Sequence, residues 1–388
     1  MLEDNEEKLT LPITARDQIN NIATSGRVTF LASIKHPTAG YLVPKGIVTI
    51  WKEGINPLAV GFDIGCGITF ATAKGVSPAK VRSLQAHLAK QIQVVAGCSL
   101  SLVSKGDNTT ADVVELRKKS TVLDTAWDQL PILKKLKSGA AKQFARLGKG
   151  EHFANVVEVI RPEGTSVEDE PGDVKIVVHN GSRGLGTGIT QHFLRAGCKE
   201  QKLSILQFPV LKDESELALQ YVLCHNLAVK YAQQSRKLIL EKIGGILGVS
   251  ALLNIVDQPH NILEYDGQQG CYVHRKGVQM LRACTIGYVA SSWADTSVIV
   301  HCKLGLKDGG LSQYMCPVGT GHSDMNKLVS VIDPRSAGES VATSGVNSLH
   351  RADSYRRLAQ IVPDLSTSSL ECTSFYKNIV SVMRGSHV

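Results

Sequence analysis

The pattern of hydrophobic and polar positions predicts a chain that mixes strands and helices without a regular alternation. Helical periodicity covers residues 13–24, 78–95, 110–147, 213–245, 351–360 and 374–383, and Ser77-Pro78 is typical of a helix start. Short β-rich runs occupy 28–31, 47–50, 57–60, 155–160 and 174–179, and strand-like segments return between 271 and 347. Because these elements do not form repeated βαβ units, we predict an α+β fold. Residues 1–10 are expected to be a disordered tail, and residues 11–388 one large domain.

The composition indicates a globular protein and disfavours one class of nucleic-acid-binding protein. The 388 residues are 43% hydrophobic and 20% charged, so a sizeable core can be buried. Aromatic residues make up only 5%, which disfavours a platform that stacks many bases. The net charge of +8 favours a polyanionic partner, although many basic proteins have none.

The cysteines and the chain start indicate a reducing compartment. Nine cysteines are scattered without a CxxC pair, so we expect reduced thiols and no disulfide framework. No apolar run approaches the roughly 20 residues of a membrane helix. The acidic start MLEDNEEKLT resembles neither a signal peptide nor a transit peptide. We therefore predict a cytoplasmic protein, without a membrane partner and monomeric.

Candidate chemistry begins with the glycine-rich segment Gly61–Gly67. Asp63 and Cys66 are the side chains there that can hold a metal, and the glycines allow a tight bend around a ligand. Taken alone, a turn with a buried cysteine is the more common case.

Histidines occur in five further segments that could carry chemistry. His152 follows a Gly-flanked turn, His179 ends a strand before Gly-Ser-Arg183-Gly, and His260-Asn261 lies in a Pro-bent loop. The backbone N–H groups of the turn that follows His179, together with the Arg183 side chain, could bind a phosphate. The run His274–Lys276 could equally be the solvated end of a hairpin, and a single histidine is more often a surface or core residue than a ligand. The last segment, around His350, is Arg-rich and could also be an exposed basic helix start.

Together and in order, these segments resemble the RtcB family of 3′-phosphate RNA ligases. The match to the family's Val-Gly-x-Asp-Ile-Gly-Cys-Gly-Met loop substitutes only isoleucine for methionine. The similar segments are Val60–Ile68, Ala145–Phe153, His179–Gly184, Lys230–Arg236, His260-Asn261 and Arg275–Gly277. The resemblance implies one large mixed domain with β-sheets around a central metal cleft and helices at the periphery.

The resemblance also implies a site. Two Mn ions would be held, with a bridging thiolate, by Asp63, Cys66, His152, His179 and His260. A guanine nucleotide from GTP would lie beside Phe153, Asn261 and Ala352, and Arg183 would meet a phosphate. His350 would attack GTP, carry GMP, and pass it to an RNA 3′-phosphate that a 5′-hydroxyl then attacks. The implied partners are RNA, as tRNA halves or broken strands, GTP, and archease as an accessory protein.

Departures from the family pattern cluster near the C-terminal end. The family's His-Gly-Ala-Gly-Arg is matched by His350–Ser354, where both glycines are replaced by charged residues. Glu151 and Asn155 exchange the Asn and Glu of the family segment, and Arg384 stands for a guanine-reading Lys. The alternatives are therefore a two-metal phosphodiesterase or phosphatase, a related nucleotidyltransferase without ligase activity, and a non-catalytic RNA-binding protein.

Overall fold

The structure is a computed structural model that describes residues 14–95, 127–148, 151–162, 170–281, 286–291, 296–302, 315–317, 342–344 and 370–383. The helices in this part of the chain are α1 (Ala15–Thr24), α2 (Pro57–Val60), α3 (Pro78–Ser83), α4 (Gln85–Val95), α5 (Pro131–Gln143), α6 (Gly184–Gln201) and α7 (Glu216–Leu247). The strands are β1 (Val28–Thr38), β2 (Lys45–Trp51), β3 (Gly54–Ile55), β4 (Gly67–Lys74), β5 (Phe153–Pro162), β6 (Val174–Asn180), β7 (Leu211–Lys212), β8 (Ala251–Pro259), β9 (Asn261–Asp266), β10 (Cys271–Lys276), β11 (Val278–Met280), β12 (Ile286–Val289), β13 (Ser297–Cys302), β14 (Met315–Pro317), β15 (Ala342–Ser344) and β16 (Leu370–Met383).

The larger sheet has eight strands. Seven follow the order β12-β13-β16-β5-β6-β4-β8 with antiparallel pairing, and β15 joins β16 in parallel. Strand β6 is buried along its whole length because both of its faces are covered. Ile176 and Val178 pack in the core cluster that contains Tyr231 of α7, whereas Val177 packs in the cluster that contains Tyr288. Burial on both faces explains why Ile176, Val177 and Val178 form an uninterrupted apolar run in β6.

The second sheet has six strands, β7-β3-β2-β10-β9 with β1 also paired to β2. Two of the places where the chain crosses between the two sheets lie close together. The loop 61–66 leads from α2 into β4 of the larger sheet, and His260 lies between β8 of the larger sheet and β9 of the smaller one. Strands β11 and β14 form a separate pair.

Helix α7 supports these crossings from behind. Its 32 residues begin after Ser215, whose hydroxyl accepts a hydrogen bond from the Ala218 N–H, and end at Gly248 in the left-handed conformation. The helix packs on β4 and β6. No helix among the described residues is both long and apolar enough to span a bilayer.

The α+β prediction is confirmed, and so are the strands near 155–160 and 174–179 and the helices near 13–24 and 213–245. The helix predicted over 78–95 is divided at Leu84. The tail 1–10 and the helix predicted over 351–360 lie outside the described residues, as does 110–126 of the Lys-rich helical stretch.

Two predicted elements are wrong. Residues 374–383 form part of the long strand β16, because they pair with β5 on one side and β13 or β15 on the other, and a short apolar run fits a helix or a buried strand equally well. Pro57–Val60 is a short helix and not a strand, since the Asn56 side chain accepts from Leu58 N at 2.9 Å and Pro57 takes the first helical position.

Candidate metal centre

The loop between α2 and β4 directs Asp63 and Cys66 to one side. Gly61 and Gly65 have φ of 94° and 71°, a region that favours glycine. The Cys66 N–H donates to the Asp63 carbonyl at 3.0 Å and closes the turn. The Gly65 N–H donates to the Asn261 carbonyl at 2.8 Å, so the loop is held against the start of β9.

Three imidazoles meet the two loop side chains. Cys66 Sγ lies 3.2 Å from His152 Nε2 and 3.3 Å from His179 Nε2. His179 Nε2 lies 3.3 Å from His260 Nε2, and Asp63 Oδ2 lies 3.0 Å from His152 Nε2. The structure therefore brings together all five residues that were predicted as ligands. The thiol and the three histidines are buried, whereas the Asp63 side chain keeps 25% of its surface exposed.

Strand register explains why residues so distant in sequence converge. His179, near the end of β6, pairs with Phe153 at the start of β5 and with Ile68 of β4. Gly67 of β4 pairs with Pro259 at the end of β8. The ligand residues therefore sit at one end of four adjacent strands, where β4 and β5 begin and β6 and β8 end.

A buried arginine holds this end of the four strands together. Arg236 of α7 is fully buried, and it donates to the carbonyls of Gly65 and Asn180 at 2.7 Å each. The same guanidinium forms a paired contact with the Asp257 carboxylate at 2.7 and 2.9 Å. Arg236 thus ties the loop, β6 and β8 together through one planar group. The sequence matched this residue to the family segment but did not reveal its role.

Electrostatics keep the imidazoles neutral. Burial, and then the neighbouring His152, lowers the pKa of His179 to about 3, and burial, then the neighbouring His179, holds the pKa of His260 well below its usual range. The His179 Nδ1 lies 3.0 Å from the Glu151 carbonyl, which can only accept, so Nδ1 carries the proton. The Nε2 lone pair of His179 therefore points at the cluster, as a metal ligand requires.

His152 is in the opposite tautomer. Arg183 Nη1 lies 2.9 Å from His152 Nδ1, and a guanidinium can only donate, so Nδ1 is the acceptor. The Nε2 proton then faces Asp63. Burial opposes ionisation of Asp63, but the hydrogen bond from His152 and the charge of Arg183 hold the pKa of that carboxyl well below its usual range. Coordination through Nε2 would move the ring proton to Nδ1 and displace Arg183 from it.

The donor set fits a first-row divalent ion. A carboxylate, a thiolate and neutral imidazoles are ligands that such ions take. Cys66, His152 and His179 offer donor atoms that all lie within 4.8 Å of one another. Donors bound to one ion at 2.0–2.3 Å are separated by about 3.5 Å, which is close to the spacing seen here.

The structure describes two of the three residues predicted to contact the nucleotide, Phe153 and Asn261. Phe153 is buried and lies edge-on to His179, with 5.3 Å between ring centroids. Both ends of the Asn261 amide are occupied by backbone: Nδ2 donates to the Asp63 carbonyl at 3.1 Å, and Oδ1 accepts from Gly277 N at 2.8 Å. His350 and Ala352 lie outside the described residues.

The interpretation of 274–276 as a solvated hairpin end is wrong, because all three side chains are buried. Arg275 pairs with Glu264 at 2.8 Å. Lys276 donates to the Val43 carbonyl at 2.5 Å, and burial, together with Lys45, lowers its pKa to about 7. Strand-end position alone could not reveal this burial, since the covering segment around Val43 comes from a distant part of the sequence.

An ion pair beside the centre was not predicted. Lys45 Nζ lies 2.7 Å from the Glu151 carboxylate, and both side chains are partly exposed. Burial opposes the charge of Lys45, but Glu151, Cys66 and Asp63 together raise its pKa. Glu151, which stands where the family pattern has Asn, therefore has a charged partner in Lys45.

Comparisons with known proteins agree with the arrangement. The profile of the family described as tRNA-splicing ligase RtcB matches residues 18–301, more than half of the chain. The chain is 26% identical over 333 or 330 residues to two RtcB proteins of Escherichia coli, each match covering 77% of this chain and 74% of the relative. It is 28% identical over 286 residues to the tRNA-splicing ligase RtcB of Thermococcus kodakarensis, covering 61% of this chain and 59% of that protein. The matched region contains the five donor residues and the elements that position them, and the chain belongs to the RtcB family.

Proposed function

We propose that this chain is a GTP- and Mn-dependent RNA ligase that acts in tRNA splicing or RNA repair. It would join an RNA 3′-phosphate, or a 2′,3′-cyclic phosphate after opening, to a 5′-hydroxyl end. The observation that carries the proposal is the convergence of Asp63, Cys66 and three histidines on one buried point. Membership of a family described as tRNA-splicing ligases supports the same reaction.

Asp63, Cys66 as its thiolate, His152, His179 and His260 would hold two Mn ions. Such a pair, when bound, stabilises negative charge on phosphoryl oxygens during in-line displacement. The chain contributes a rigid frame for it, because Arg236 and the strand register fix the positions of the donors. Burial excludes water from the donor atoms and strengthens their interaction with charge.

Covalent transfer is assigned to His350. A ring nitrogen of His350 would form a bond to the α-phosphorus of GTP as the bond to pyrophosphate breaks. The GMP would then move to the RNA 3′-phosphate, and attack by the 5′-hydroxyl would release it, so each bond formed is matched by one broken. Arg183, beside His152, supplies a donor for a phosphate oxygen, and Phe153, Asn261 and Ala352 are proposed to lie near the nucleotide.

The test uses α-labelled GTP with Mn and a pair of labelled RNA ends. The wild-type chain should form a covalent GMP adduct and join the ends, and His350→Ala should abolish both activities. The control His87→Ala, on the exposed face of α4, should keep both activities. Cys66→Ala should reduce both activities by more than about 100-fold, and the partly exposed Cys271→Ala provides the matched control.

The outcomes separate the alternatives. An adduct that persists in His350→Ala would contradict the assignment of the nucleophile. Ends that stay unjoined with every divalent metal would contradict the ligase. Cleaved RNA or released phosphate without a need for GTP would instead identify a two-metal phosphodiesterase or phosphatase. Adding archease to an inactive preparation tests whether an accessory protein is required.

A further inference from the structure

Two neighbouring helices present a concentration of positive charge next to the metal centre. Helix α5 contains four lysines and no acidic residue. Lys134, Lys135 and Lys142 are exposed on it, and Arg195 is exposed on α6. These four residues are called the basic ridge below.

Packing of the two helices makes the ridge continuous. A Cβ at Gly188 of α6 would lie 2.5 Å from the Leu136 side chain, so glycine allows a close approach of α5. Lys135 precedes Leu136 on α5, and its charge affects His192 of α6. Partial burial lowers the pKa of His192, and the charges of Lys135 and Arg195 lower it further.

The ridge leads to the metal centre. The C-terminal end of α5 meets the start of α6, where the Gly184 N–H donates to Gln143 Oε1 at 2.9 Å. The residue that precedes this helix is Arg183, whose side chain contacts the ligand residue His152. From Arg183 to Arg195 the helix rises by about 18 Å.

Carboxylates among the described residues do not neutralise the charge of the ridge. None of its four members forms an ion pair with a carboxylate in the described part of the chain, in contrast to Lys137 with Asp128, Lys237 with Glu241 and Lys45 with Glu151. A row of exposed cations is suited to a polymer that carries regularly spaced negative charges.

We propose that the basic ridge binds the phosphodiester backbone of an RNA strand whose reacting end lies at the metal centre. The inference rests on the proposed function for the identity of the strand. Lysine and arginine contacts to phosphate set position and carry no sequence information. No aromatic side chain belongs to the ridge, so binding there should not depend on the bases.

The test measures binding of a labelled single-stranded RNA oligonucleotide by fluorescence anisotropy over a range of salt concentrations. The triple variant Lys134→Gln, Lys135→Gln, Arg195→Gln should bind on the order of 10-fold or more weakly at moderate salt. Its slope of log K against log salt should be shallower by about 2, since each lost phosphate contact on a single strand contributes about 0.7. The control triple Lys52→Gln, Lys74→Gln, Lys90→Gln removes equally exposed charge from other elements and should match the wild type.

Formation of the GMP adduct from GTP needs no RNA and separates this inference from the proposed function. The ridge variant should form the adduct at the wild-type rate, which also shows that it is folded. Affinity and salt slope equal to the wild type would overturn the ridge, whatever the adduct result. Equal losses in the ridge and control variants would show a general effect of net charge and would overturn it as well. Absence of the adduct in the wild type would contradict the ligase, while the binding comparison would still decide the ridge.

Discussion

At the scale of single residues, the protonation of Cys66 controls how the centre can be loaded. Burial, and then the Asp63 carboxylate, raises the pKa of the Cys66 thiol well above its ordinary value. The thiol is therefore protonated near neutral pH, and a metal ion must displace the proton to obtain the thiolate. The neutral imidazole of His179, with a pKa of about 3, presents no such barrier.

We expect metal affinity to rise with pH. Below the pKa of the thiol, each proton released on binding strengthens the affinity about 10-fold per pH unit. Titration with Co(II), followed by the thiolate-to-metal absorption between about pH 6 and 8, measures this dependence. Since His179 is already neutral there, the slope should come from the thiol and from few other groups. An affinity independent of pH in this range would contradict a thiol that must lose its proton.

At the scale of elements, the centre depends on how closely the turn after β6 approaches the loop 61–66. The Arg183 N–H donates to Asp63 Oδ1 at 2.7 Å, so the turn orients the carboxylate. A Cβ at Gly181 would lie 2.4 Å from the Asp63 carboxylate, closer than any real contact. Glycine at this position is therefore a requirement of the site and not of the strand.

The substitution Gly181→Ala should displace Asp63 and weaken metal binding by about 10- to 100-fold, the range for disturbed supporting contacts. Secondary structure measured by circular dichroism should stay unchanged. The control is Gly245→Ala on the exposed face of α7, where an added Cβ meets nothing within 4 Å. That variant should bind metal normally and gain about 0.5–1 kcal/mol of stability. Equal metal affinity in the two variants would contradict the role of Gly181.

The sequence predicted the elements and side chains whose signals are local. Turn residues and strand ends marked His152, His179 and His260, and the order of these segments identified them as a set. Contacts that depend on distant segments could not be predicted. The guanidinium of Arg236 reaches carbonyls of two other elements, and the partnership of Lys45 with Glu151 joins residues 106 positions apart. The same limit explains β16, whose sequence fits a helix until its two neighbouring strands are known.

At the scale of the whole molecule, the centre lies where the chain passes between its two sheets. Asp63 and Cys66 precede β4 of the larger sheet, whereas Asn261, which begins β9 of the smaller sheet, follows His260 directly. An ion held by Asp63, Cys66 and His260 would cross-link the two sheets. Its binding energy would therefore add to the stability of the fold as a unit.

Saturation with Mn should accordingly raise the melting temperature. A ligand at 100 times its dissociation constant stabilises the folded state by about 2.7 kcal/mol, which corresponds to several degrees for a chain of this size. Differential scanning calorimetry with Mn and with a chelator measures the shift. His260→Ala, which removes the donor between the sheets, should abolish most of it. A shift that persists in this variant would show that Mn stabilises the protein from another place.

The position of β16 has a consequence for how the protein is made. This strand, formed by residues 370–383, lies between β13 and β5, although β5 is synthesised more than 200 positions earlier. A ribosome-bound chain therefore carries β5 with one edge unpaired until β16 has emerged, and contacts of such sequence separation form slowly. Unpaired edges are prone to association with other chains. His152 immediately precedes β5, so the strand that follows this ligand residue gains its second neighbour only after translation has passed β16.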